Sequence, residues 1–191
     1  MNQEFFMRYS LRHVAAVTAF AAATLTLNTA WAAEPEIGPV IPSFGPVMAP
    51  PPGSYNLDPD VHYKVSMDMN TTPDFPDEQN RHLVSAARFL NMHAQNGIPT
   101  DNIEFALIVH GKAAKDLLTD EAYQARYNEP NPNSQLLKEL NAANVPIYLC
   151  SQTAAFRGMA TEEFSSTVTM SMSAMTAHVR LQKEGYTLIP F

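Results

Sequence analysis

From residue 62 onward, short apolar runs alternate with segments of helical period, and few folds accommodate that order. The run "HYKVSMDM" (62–69) alternates Tyr63, Val65, Met67 and Met69 with polar residues, as a strand does. In "FPDEQNRHLVSAARFLNMHAQNG", Leu83, Ala87, Leu90 and Ala94 fall at helical spacing. Asp77 and Glu78 lie near the expected start, where they suit the helix dipole, and Gly97 lies just past the end. "IEFALIVHG" (103–111) is a near-continuous apolar strand, and "KAAKDLLTDEAYQARY" reads as helical with an ambiguous middle. "NPNSQLLKELNAAN" opens on Asn131-Pro132, a cap and first-turn proline, and aligns Leu136, Leu140 and Ala143. "VPIYLC" (145–150) is another buried strand, followed by "STVTM", a helix in "SMSAMTAHVRLQKEG" and a last strand in "YTLIP". Strands separated by helices predict βαβ units, hence an α/β domain with a mainly parallel five-stranded sheet covered on both faces. At helical spacing, Met172, Met175 and Val179 read as core rather than as a methionine metal site.

The chain ahead of this domain divides in two. Arg8 and Arg12 precede an apolar stretch from about Val14 to Leu27, and Ala30-Trp31-Ala32 fits an A-x-A cleavage site. Residues 1–32 are therefore expected to be a secretory signal cut after Ala32, with the mature protein in the periplasm. The stretch is short and broken by threonines, so no stable membrane span is expected after cleavage; retention as an anchor is the alternative. Residues 33–59 form a proline-rich arm or linker, with prolines at 35, 39, 42, 46, 50, 51, 52 and 59. Such density blocks helices and central strands. A flexible tether is one reading. The apolar Ile37, Val40, Ile41, Phe44, Val47 and Met48 support another, a segment lying across the domain or a neighbouring subunit. The domain itself is expected over residues 60–191, long enough for a core without disulfides.

A single cysteine, Cys150, excludes an internal disulfide. In an oxidising compartment a lone thiol must be buried, paired with another molecule or kept reactive for a purpose. The net charge of -7, with no basic stripe, argues against nucleic acid as partner.

Ligands of parallel α/β sheets gather beyond the carboxyl ends of the strands, which makes the residues leaving each strand the candidates. The first strand delivers Asn70, Thr71 and Thr72, and the second His110, Gly111 and Lys112. The third delivers Cys150, Ser151, Gln152 and Thr153, and the fourth leads into Ser171 and Ser173. Cys150 is the candidate nucleophile or sulfur carrier. A helix opening at "SQTAAF" would aim N–H groups at its sulfur, while His110 or Lys112 would add positive charge or shuttle a proton. The other reading of Cys150 is a small apolar side chain packed at a strand end. His62, His82, His93 and His178 are scattered without H-x-H or H-E-x-x-H spacing, so neither a metal site nor a cofactor is expected. "HGKAAKD" is not a phosphate loop, and neither G-x-G-x-x-G nor G-x-S-x-G occurs, which disfavours ATP, NAD and serine-hydrolase chemistry.

The segments "FALIVHGKAAKDLL" (105–118), "NPNSQLLKELNAANVPIYLCSQTAAFRGM" (131–159) and "LQKEGYTLIP" (181–190) together resemble the DsrE/DsrF-like family, the sulfur-relay and YchN-like group of small α/β proteins. An apolar strand ends in V-H-G, a helix with L-x-x-L leads to a short strand closing on Cys, and Gly158 follows a few residues later. The resemblance covers about residues 60–191. It implies a three-layer α/β/α fold with strand order 4-3-2-1-5, in which the second and third strands are neighbours and His110 stands beside Cys150. It also implies a homo-oligomer, trimer or hexamer, and in sulfur-relay members a cysteine that accepts sulfur as a persulfide; Cys150 is the matching residue. Its partners would be a sulfur donor or acceptor protein or a small sulfur compound. Sulfur-relay members are cytoplasmic parts of hetero-complexes, whereas this chain carries an export signal and a proline-rich arm. The expected function is thus binding or relay of sulfur species through Cys150 and His110, with Gly111, Lys112, Ser151, Gln152, Thr153 and Asn70 around them. The alternative is a non-catalytic oligomeric ligand- or protein-binding module with a structural cysteine. A carrier needs only a nucleophile and a docking surface, so turnover is not required.

Overall fold

Five strands, β1 (Tyr63–Met69), β2 (Ile103–Val109), β3 (Ile147–Cys150), β4 (Val168–Ser171) and β5 (Thr187–Ile189), form one all-parallel sheet in the order β4-β3-β2-β1-β5. The computed structural model describes residues 34–190, and the expected signal peptide lies outside the described residues. Parallel neighbours require crossovers, and these are helices α1 (Arg81–Gln95), α2 (Asp120–Tyr127), α3 (Ser134–Ala142), α4 (Ser151–Phe156) and α5 (Ala174–Lys183). The α/β/α layering and the strand order are those expected from the sequence.

The two faces of the sheet differ in thickness. Val65, Met67, Met69, Phe105, Leu107, Val109, Ile147 and Leu149 pack against Leu83, Ala87 and Leu90 of α1 and Leu136, Leu137 and Leu140 of α3. The opposite face is smaller: Ala106, Ile108 and Cys150 meet Ala174, Ala177 and Leu181 of α5. Alternation along β1 sends Ser66 and Asp68 to this thin face.

Several local expectations are corrected. Helix α1 starts at Arg81, not near Asp77, because the Asn80 side chain caps it by accepting from His82 N at 2.9 Å; no acidic residue lies in its first turn. The ambiguous stretch after β2 splits into a 3₁₀ segment (Gly111–Leu117) and α2, divided where Leu118 bridges Phe164 and Thr119 caps Ala122. Asn133 stands at the N-cap of α3, while Asn131 turns inward to donate to the Asp116 and Leu118 carbonyls at 3.0 and 2.7 Å. Met172, Met175 and Val179 are not core: they are 69%, 77% and 55% exposed. The stripe of α5 facing the sheet is the adjacent one, Ala174, Ala177 and Leu181, whose small residues let the helix sit close to the strands.

The proline-rich segment is laid across α1 from Glu36 to Val47, its ends tied by reciprocal backbone bonds of 2.8 Å between those two residues. Ile41 and Val47 are buried there. The clamp is Asn91, whose Oδ1 accepts from Val40 N (3.1 Å) and Ile41 N (2.8 Å). Its Nδ2 faces the carbonyls of Ile41, Phe44 and Gly45 at 3.1, 2.9 and 3.2 Å. Gly45 passes so close to α1 that a Cβ would stand 2.8 Å from that of Ala87, and its φ of +69° already excludes most side chains.

Candidate functional site

The carboxyl ends of β2 and β3 are adjacent because Val109 pairs with Leu149. One residue further, the chain leaves β3 as Cys150 and enters α4 at once, while Ser171 of β4 lies opposite Cys150 on its other side. Cys150 is 6% exposed and belongs to the thin face under α5. Burial by itself pushes its thiol up. The Thr153 hydroxyl and the backbone N–H groups of Thr153, Ala174 and Gln152 oppose this, and the net direction is down from the ordinary thiol value. No single short capping bond does this, since the Cys150 side chain does not cap α4.

Thr153 also ties the site to the "VHG" corner. Its Oγ1 accepts from Gly111 N at 3.2 Å. Gly111 has a φ of +59°, and a Cβ there would stand 3.0 Å from the Asn70 carbonyl oxygen, which in turn accepts from Lys112 N at 3.0 Å. Asn70, Gly111 and Thr153 thus form one backbone-linked corner. Gln152 is exposed beside it, whereas Ser151 donates to the Ser171 carbonyl at 2.7 Å and fastens α4 to β4. The Lys112 side chain makes no ion pair among the described residues.

His110 is held from the other side. Its Nε2 lies 3.1 Å from both carboxylate oxygens of Asp68, and His178 of α5 places its own Nε2 2.7 Å from Asp68 Oδ1. A carboxylate only accepts, so both imidazoles carry a hydrogen on Nε2. His110 therefore turns toward β1, and the groups that lower the Cys150 thiol do not include it. Among the described residues, Nδ1 of His178 and Oγ of Ser66 on the same face are buried without partners.

Asp68 and His178 were absent from the sequence-level candidates. The available signal was the polar phase of "HYKVSMDM": in a sheet covered on both faces, Ser66 and Asp68 cannot point to open solvent.

The model of the DsrE/DsrF-like family matches residues 64–191. The chain belongs to the DsrE/DsrF-like family. Among solved structures it is similar to MTH1491, a protein of unknown function from Methanobacterium thermoautotrophicum. The TM-score is 0.51 at 20% identity, over 68% of this chain and 99% of that one, and the likeness bears on the fold. The ychN protein from E. coli gives a TM-score of 0.49 at 20% identity, with the same coverage of 68% and 99%. No curated protein matches the chain. Among the described residues, no helix is long and apolar enough to cross a membrane.

Proposed function

We propose that this DsrE-like chain is a periplasmic sulfur carrier in which Cys150, as a thiolate, accepts a sulfane sulfur and holds it as a persulfide. One observation supports this most. The sulfur is nearly buried, yet hydrogens from Thr153, Gln152 and Ala174 outweigh the desolvation that burial imposes. A cysteine kept only for packing has no need of such donors. His110, which Asp68 turns toward β1, is given no part in moving the thiol proton in this reading.

Intact mass of protein recovered from the periplasm and incubated with polysulfide tests both parts of this reading. The expected chain begins at Ala33 and gains about 32 Da, one sulfur, removable by dithiothreitol and absent in Cys150→Ser. An unchanged mass would overturn the carrier role, and a chain still starting at Met1 would overturn the cleavage.

The alternative, an assembly or binding module, is favoured by the apolar stripe Met172, Met175 and Val179 left uncovered on α5. We assign that stripe to the contact between copies in a trimer or hexamer, which serves a carrier equally well. Light scattering should give a multiple of the protomer mass that falls in Met175→Glu. A monomeric wild type would contradict the assignment.

A further inference from the structure

Helix α5 covers Cys150 on the thin face of the sheet. The cysteine is 6% exposed and packs, with Ala106 and Ile108 of β2, against Ala174, Ala177 and Leu181. Those two alanines and one leucine are all that α5 buries, whereas α1 buries seven residues on the other face. Apolar stabilisation scales with the area buried, so packing holds α5 much less firmly than α1.

Its polar ties to the sheet are fewer still. Among the described residues, one side-chain hydrogen bond joins α5 to a strand, from His178 Nε2 to Asp68 Oδ1 at 2.7 Å. Thr176 bonds back to Ser173, and Arg180 reaches Glu184 just past the helix end. Nδ1 of His178 has no partner among the described residues, so the ring is committed to that single contact. The anchor is well placed. Asp68 stands on β1 and Cys150 on β3, so the bond draws α5 across the intervening β2. His178 lies one turn beyond Ala174, which packs on the sulfur's side of the helix. His110 holds the same carboxylate from β2, with Nε2 3.1 Å from each oxygen, and so fixes where His178 must reach.

We infer that Asp68 and His178 are positioning residues that latch α5 over Cys150, and that a small molecule reaches the thiol when this latch opens and α5 lifts. Helices with few buried apolar contacts open locally without global unfolding. The bearing of the latch on sulfur transfer rests on the carrier reading, but the latch itself needs only a thiol beneath the helix. Neither residue acts on the sulfur, so breaking the latch changes how often the thiol is reached and not where it titrates.

The test is the alkaline plateau of iodoacetamide labelling at Cys150, where the thiol is fully ionised and the rate follows opening. Wild type and variants are compared at concentrations where light scattering gives them the same mass. His178→Ala should raise the plateau about ten-fold, the size of effect that one hydrogen bond to a carboxylate supports, and leave the midpoint in place. Asp68→Ala should raise it by a similar factor, and the double variant no further, because the two residues act as one unit. His178→Gln, whose amide can donate from the place of Nε2, should stay within about two-fold of wild type. In hydrogen exchange, the amides of α5 should quicken in His178→Ala while those of α1 keep their wild-type rates. The latch would be overturned by an unchanged plateau in His178→Ala, by a His178→Gln plateau equally high, or by additive effects in the double variant. Exchange that quickens equally in α1 and α5 would overturn it too, since the variant would then be loosened as a whole. None of these results touches the carrier reading, which stands or falls on the mass gained from polysulfide.

Discussion

Asn91→Ala is expected to destabilise the domain by about 3 kcal/mol and to release the arm from α1. Five hydrogen-bonding contacts converge on this buried side chain, two accepted from Val40 and Ile41 and three made to the carbonyls of Ile41, Phe44 and Gly45. Alanine supplies none of them, and an unsatisfied buried backbone group costs about 1–3 kcal/mol. The gain in helix propensity from Asn to Ala, at most about 0.7 kcal/mol, offsets little of this. The chain can avoid the penalty only by lifting the arm into water, which exposes Ile41 and Val47. Either route lowers stability. Urea unfolding should show the loss, and limited proteolysis should cut between residues 36 and 47 in the variant but not in wild type. A variant within about 0.5 kcal/mol of wild type, with its arm still protected, would refute the clamp.

Thr153→Val is the second large effect, and it acts on chemistry more than on stability. Valine keeps the volume and branching of threonine but removes the hydroxyl that acts on Cys150 and accepts from Gly111 N. The thiol's titration point should rise toward the ordinary value near ~8.5. Each unit of rise removes about ten-fold of the thiolate at neutral pH, and alkylation by iodoacetamide should slow in step. The sign for stability follows from the same direction. A thiol whose titration point is lowered on folding stabilises the folded state fully above the unfolded thiol value, and that increment is lost as pH falls through the folded value. Wild type should therefore gain on Thr153→Val at alkaline pH, beyond the pH-independent cost of leaving Gly111 N–H without its acceptor. Identical alkylation profiles for the two proteins would remove Thr153 from the site.

Much of the architecture was legible because each strand and helix carries its own period. Strand order was not local information; it came with the resemblance through V-H-G, L-x-x-L and the strand closing on Cys150. Periodicity also misjudged α5. It marks an apolar stripe, but two adjacent stripes qualified, and the alanine-rich one won because small residues allow the helix to approach the sheet. The arm's anchor was hidden for a different reason. Asn91 sits within a helical pattern, and its partners are backbone groups some 50 residues earlier.

The candidate site divides along the same line. Cys150, Thr153 and Gly111 are found by asking what leaves each strand end. Asp68 lies inside a strand, and His178 reaches it across a sequence separation of 110, a meeting that only the packing of α5 on the thin face of the sheet creates.

The central claim is that Cys150 is a thiolate-forming nucleophile despite being nearly buried. The most direct measurement is the rate of iodoacetamide labelling of the folded wild-type protein from pH 5 to 10. The expected profile is a single rise at Cys150 with a midpoint below the ordinary thiol value of ~8.5. A midpoint at or above that value, or labelling that appears only after unfolding, would contradict it.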